Sequence, residues 1–161
     1  MTEIYLLRHA DAGDPAAWAG PDERRPLSGK GEKQADRLGR FLAGIGFQPD
    51  AIITSPKLRA AQTAEIVGER LGVPVGLDAR LAGELGIGAL EAVLLDAGDP
   101  ERPVIVGHDP DFTELVSILC DASRVAMKKG AFARIDASRP LEPGGGTLRW
   151  LVPPDLLRPD H

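Results

Sequence analysis

The sequence predicts an α/β fold: three layers, α/β/α, around a mainly parallel sheet with an edge open to antiparallel pairing. Three observations carry that prediction. Short apolar, β-rich runs alternate along the chain with longer segments whose apolar residues recur at helical spacing. The turns between them are marked by a generous supply of glycine and proline, 19 and 14 residues, with no internal repeat. The last two segments alternate apolar and polar residues and read as a strand pair across a turn.

Taken in order, "EIYLL" (3–7) is the first strand. "GKGEKQADRLGRFLAGI" (29–45) places Ala35, Leu38, Phe41, Leu42 and Ile45 at helical spacing, and "DAIIT" (50–54) is a second buried strand. "KLRAAQTAEIVGERLG" (57–72) is a helix with Leu58, Ala61, Ala64, Ile66, Val67 and Leu71 near one face and a glycine suited to its C-cap. "VPVGL" (73–77) is a short edge strand with its proline near the start. A helix over 87–98, a strand over 102–108 and a helix over 111–121 follow. "AFARIDA" and "TLRWLV" form the final pair, joined across the turn at "PGGGT" (143–147).

Composition narrows the function. At 161 residues and 43% hydrophobic content the chain is expected to form one domain spanning 1–161. A net charge of -5 advertises neither nucleic acid nor an anionic membrane as partner. Met1 leads directly into a strand, and no apolar stretch approaches the roughly 18 residues of a membrane span, so a cytoplasmic location is expected. The single cysteine, Cys120, excludes an internal disulfide and a multi-cysteine metal site; its apolar surroundings mark it as a buried small residue.

In sheets of this kind ligands sit beyond the C-terminal strand ends. Arg8 and His9 follow the first strand. Ser55 follows the second, with Arg59 one turn into the next helix, and His108 follows "PVIV" just before another helix. The third histidine, His161, is terminal and expected to fray. Guanidinium forks match phosphate oxygens and stay charged at any working pH, and helix N-termini add backbone donors. A neutral imidazole beside them could attack phosphorus and form a phosphohistidine that water later hydrolyses. Phosphoryl transfer needs positioning and charge stabilisation above all, so a cationic pocket suffices in principle. Two histidines flanked by arginines and lacking a carboxylate cluster repel a divalent cation, so neither metal nor cofactor is expected.

At these residues the sequence resembles the histidine phosphatase (phosphoglycerate mutase-like) superfamily. "LLRHADA" resembles its Arg-His-Gly signature, with Ala10 where glycine is common. "RPLSGKGEKQA" (25–35), "TSPKLRAAQTAEI" (54–66) and "IVGHDP" (105–110) match later blocks in order and approximate spacing, and "MKKGAFARID" (127–136) resembles the strand entry of the shortest members. The resemblance is closest to the small SixA-type phosphohistidine phosphatases. It implies a phosphoglycerate mutase-like fold, with His9 as nucleophile, Arg8 and Arg59 gripping phosphoryl oxygens, and His108 donating to the transferred group. It also implies phosphate or substrate contact by Arg25, for which Arg24 is the competing choice. The partner it implies is a phosphohistidine-bearing protein or a small phosphorylated substrate.

Lesser features have plain readings. Asp11 and Asp109 read as solvated loop carboxylates, Ser55 as the residue that starts or caps a helix, and Gln62 and Thr63 as positioning groups. Trp18 either covers the pocket or anchors a loop, and Lys128 and Lys129 form a solvated turn that could lie near a phosphoprotein.

One departure separates the functions. Broad-specificity phosphatases and mutases of the superfamily use a glutamate to protonate an oxygen leaving group. Here Glu84, in "RLAGELGIGAL", is the candidate acid, shifted from the usual spacing. An alkoxide gains greatly from a donated proton, whereas the imidazole of phosphohistidine can take a proton on its second nitrogen near neutral pH. The expected function is therefore a phosphohistidine phosphatase. A small-molecule phosphomonoesterase and a non-catalytic phosphate-binding or phosphoprotein-binding module are the alternatives; a mutase would need pocket-lining insertions that this length hardly permits.

Overall fold

Four parallel strands form one side of a six-stranded sheet. β1 (Thr2–Arg8), β2 (Ala51–Thr54), β3 (Val75–Leu77) and β4 (Pro103–Gly107) lie in the spatial order β3-β2-β4-β1. Beyond β1, β5 (Phe132–Ala137) runs antiparallel to it, and β6 (Gly146–Val152) runs antiparallel to β5. The computed structural model describes residues 1–159, so His161 lies outside the described residues.

Helices cover both faces, and strand alternation explains how. Ile4, Leu6 and Ile105 point to one face, where they pack with Leu90 and Leu94 of α3 (Ile87–Asp96) and with Phe112, Leu115 and Leu119 of α4 (Asp111–Cys120). Tyr5, Leu7, Val104 and Val106 point to the other, against Leu38 and Leu42 of α1 (Gly29–Gly44) and Ala60, Ala64 and Val67 of α2 (Leu58–Leu71). The chain steps outward from β1 to β2 to β3, then turns back to insert β4 between β2 and β1. A right-handed crossover made in the reverse direction must place its helix on the opposite face, which is why α3 lies across the sheet from α1 and α2. The same reversal sets the C-terminal ends of β2, β4 and β1 side by side.

Every segment expected from the sequence is present, with ends shifted by no more than two residues. The antiparallel edge is two strands deep, and β3 is the opposite edge. Gly72 ends α2 in the left-handed conformation, at φ 70°. Ser55 departs from expectation: the cap position of α2 is Lys57, and no side chain caps that helix. Cys120 is half-buried, and burial pushes its thiol pKa up. Among the described residues no helix is long and apolar enough to cross a membrane.

Candidate active site

Backbone hydrogen bonds draw the two histidines together. The His9 amide donates to the Gly107 carbonyl at 3.0 Å, the residue before His108, so neighbouring strands deliver both rings to one spot. The Gly130 amide donates to the carbonyls of Arg8 and His9 at 3.1 and 2.9 Å. Thr63, buried in α2, donates its hydroxyl to the Arg59 carbonyl (2.7 Å) and accepts the Ala10 amide (3.1 Å), which ties the arginine's helical turn to the nucleophile loop. The imidazole centroids stand 5.3 Å apart with the rings inclined at 54°.

The partners of the ring nitrogens decide the His9 tautomer. His9 Nδ1 lies 2.8 Å from the Ala10 carbonyl oxygen, which can only accept, so Nδ1 carries the proton and Nε2 keeps its lone pair. His108 Nε2 lies 2.7 Å from Ser55 Oγ, and that oxygen already accepts the Lys57 amide at 3.2 Å. The serine hydroxyl holds Nε2 in either tautomer: it can donate to an unprotonated Nε2 or accept from a protonated one through its second lone pair. His108 Nδ1 is buried and has no hydrogen-bond partner; the same holds for Nε of Arg8 and of Arg59. Such orphaned polar atoms are rare inside proteins and each requires an explanation. All three belong to residues that line, with His9, a cleft of about 440 Å³.

Burial pushes the His9 pKa down to about 4, assisted by the Arg59, Arg8 and Lys129 cations and opposed by the Ala10 carbonyl. His108 is pushed down to about 3, again chiefly by burial, with His9, Lys57 and Arg59 adding to the effect. Both rings are therefore neutral near pH 7 in the free protein.

The arginines are held by a residue that the sequence did not single out. Asp22 accepts from Arg59 twice, through its carbonyl (2.9 Å from Nη1) and its carboxylate (3.0 Å from Nη2), and its other carboxylate oxygen is 3.3 Å from Arg25 Nε. Burial alone would raise the Asp22 carboxyl pKa; the two guanidiniums outweigh it and hold the carboxyl below its usual value. Arg25 is buried and also donates to the Ala12 carbonyl at 2.7 Å, whereas Arg24 is exposed and stands outside the cleft lining, so Arg25 is the residue brought to the site. Arg8 donates to the Met127 carbonyl at 2.8 Å.

The other expected residues divide. Glu84 lines the cleft but is exposed, at φ 55°, with no hydrogen bond or ion pair among the described residues to aim it. Asp109 also lines the cleft, yet its carboxylate is occupied by the Thr113 amide and hydroxyl at 3.1 and 2.6 Å. Asp11 accepts from the Ser28 hydroxyl at 2.6 Å, which with the Gly13 amide and neighbouring lysines lowers its pKa. Gln62 accepts the Leu27 amide at 2.8 Å. Trp18 anchors its loop by donating to the Pro21 carbonyl and is not part of the cleft wall. Lys129 does line the cleft, as do Lys57, at the cap position of α2, and the buried Asp111, the first residue of α4, neither of which the sequence singles out. Gly31 is demanded by packing, because a Cβ there would lie 1.9 Å from the Asp11 carbonyl oxygen.

Among the described residues no group of three or more His, Cys, Asp or Glu side chains could hold a metal ion.

Comparison with known proteins places this geometry. The family model of the histidine phosphatase superfamily (branch 1) matches residues 4–109. The chain is 39% identical to an uncharacterized protein of Picosynechococcus sp., over 94% of this chain and 99% of that one. It is 27% identical to the phosphohistidine phosphatase SixA of Escherichia coli, over 97% of this chain and 96% of that one. The structure of the protein histidine phosphatase SixA complexed with tungstate superposes with a TM-score of 0.83 at 27% identity, covering 98% of this chain and all of that one.

Proposed function

The chain belongs to the histidine phosphatase superfamily, and from that premise we propose that it removes phosphate from phosphohistidine on a protein, by way of a phosphoryl group carried on His9. One observation carries the reading: a lone pair on His9 Nε2 shares a cleft with three guanidiniums, those of Arg8, Arg25 and Arg59, and with the His108 imidazole. A phosphoryl group seated there would meet guanidinium donors and the second imidazole. The similar SixA structure holds tungstate, a tetrahedral oxyanion of the same kind.

In the first step His9 Nε2 attacks phosphorus and the nitrogen–phosphorus bond of the substrate breaks, its electron pair staying on the departing imidazole. The departing ring already bears a proton on its second nitrogen and leaves neutral, so no acid is required. His9, protonated on Nδ1 by its bond to Ala10, takes on the charge state the substrate gives up. In the second step water attacks phosphorus, the pair returns to Nε2, and both protons of the water remain on the released dihydrogen phosphate. The guanidiniums and His108 hold the equatorial oxygens throughout.

The rival reading, hydrolysis of small phosphate esters, draws on Glu84 at the cleft. Its exposure and lack of an orienting partner weigh against the role of acid. The test is to mix the protein with a phosphohistidine-bearing phosphotransfer domain, quench in alkali and map the phosphoryl group by mass spectrometry. The group is expected on His9. Turnover with no label on His9 would overturn the covalent route.

A further inference from the structure

A second groove, of about 350 Å³, runs between α1 and the turn at Pro154–Leu157, outside the catalytic cleft. In a chain of net charge -5 its lining on α1 is basic, Lys30, Lys33 and Arg37, and among the described residues Asp155 is the carboxylate that faces them. Lys30, Lys33 and Arg37 follow one another at intervals of three and four residues and so form a single stripe along α1. None of these three has an ion pair among the described residues, whereas on the same helix Asp36 is bridged to both Arg40 and Arg70. Lys30 also stands in the first turn of α1, where the helix dipole disfavours positive charge. A local arrangement that works against stability points to use.

The stripe neighbours the cleft. Gly130, whose amide holds the carbonyls of Arg8 and His9, would place a Cβ 3.4 Å from Gln34 and Pro154, both on the groove wall. Its neighbour Lys129 lines the cleft and lies 3.9 Å from Asp11, a carboxylate that also feels Lys30. Lys129 at the cleft and Lys30 on α1 thus both act on the Asp11 carboxylate.

We propose that this stripe docks the acidic surface flanking the phosphohistidine of a protein substrate. The inference rests on the phosphohistidine reading above and adds the recognition surface. A phosphoryl group seated in the cleft brings the surrounding surface of its carrier against the neighbouring α1 face, and charge complementarity there speeds encounter and fixes orientation.

The test compares the protein with Lys30→Glu/Lys33→Glu/Arg37→Glu, and with the milder Lys30→Gln/Lys33→Gln/Arg37→Gln. Substrates are a phosphotransfer domain with acidic residues around its phosphohistidine, and free phosphohistidine. At low salt kcat/KM on the phosphoprotein is expected to fall about tenfold or more with glutamate, by less with glutamine, and to lose most of its salt dependence. Turnover of free phosphohistidine is expected to stay unchanged. Equal loss on both substrates, or no loss on the phosphoprotein, would overturn the docking surface alone. If the unaltered protein turns over neither phosphoprotein nor free phosphohistidine, the functional reading fails and the docking surface with it. Stripe-dependent binding to anionic vesicles, with phosphoprotein kinetics untouched, would reassign the surface to a membrane.

Discussion

Ser55 has two tasks that meet in one atom: its Oγ takes the Lys57 amide and fixes the His108 ring from behind. Ser55→Ala would leave Nε2 buried without a partner and free the ring to turn, so kcat/KM should drop by about tenfold or more with little change in fold. Equal activity in serine and alanine forms would remove the orienting role. Glu84→Gln, by contrast, should lower ester hydrolysis by less than about tenfold, where loss of a true general acid would cost on the order of 10²-fold or more. At this scale Arg8, His9, Arg59 and His108 were legible because they follow strand ends or sit one turn into the next helix. Asp22 was not. Its role arises only because a short turn between β1 and α1 folds back over two arginines, 3 and 37 residues away in sequence. Nothing in local pattern distinguishes it from a solvated aspartate.

The elements supply the rigidity that this site needs. β4 is buried along its whole length and carries His108 from its C-terminal end, so Ile105→Ala should cost roughly 2 to 5 kcal/mol through the cavity it opens. Urea denaturation with a loss below about 0.5 kcal/mol would show that the strand tolerates what a packed core does not. At the other end of the site, Gly31→Ala should force α1 away from the Asp11 loop, at about 1 to 3 kcal/mol. Helices and strands were readable from their apolar spacing because each buries one defined face. Their caps were less so: a serine ahead of a helix is a sound cap signal, and Ser28 obeys it by accepting the Gly31 amide, yet Ser55 is claimed by His108. At Ser55 tertiary demand overrode local chemistry.

For the whole molecule, the two depressed histidines link stability to pH. In the unfolded chain they take up protons below about 6.5, while in the folded protein they stay neutral until pH falls to about 4 and about 3, so the unfolded state binds more protons in between. Stability is therefore full well above pH 6.5 and declines as pH falls below it, by about 2 kcal/mol for each histidine between pH 7 and pH 5, roughly 4 kcal/mol for the pair. The lowered carboxyls of Asp11 and Asp22 push in the same direction only below their unfolded values near 3.8, outside that window. Thermal melts of the protein and of His9→Gln/His108→Gln should show a shallower dependence in the variant. The architecture was legible as a whole because alternation of strand and helix leaves few topologies, and the antiparallel edge declared itself by its change of period. The insertion of β4 between β2 and β1, which assembles the site, has no signature in any one segment. The central claim is tested most directly by phosphate release from a phosphohistidine-bearing phosphotransfer domain and from para-nitrophenyl phosphate, side by side, in EDTA, with His9→Ala as control. Rapid release from the phosphoprotein, little from the ester, and none in the variant is the predicted result. Comparable turnover of the ester, or release that survives His9→Ala, would contradict it.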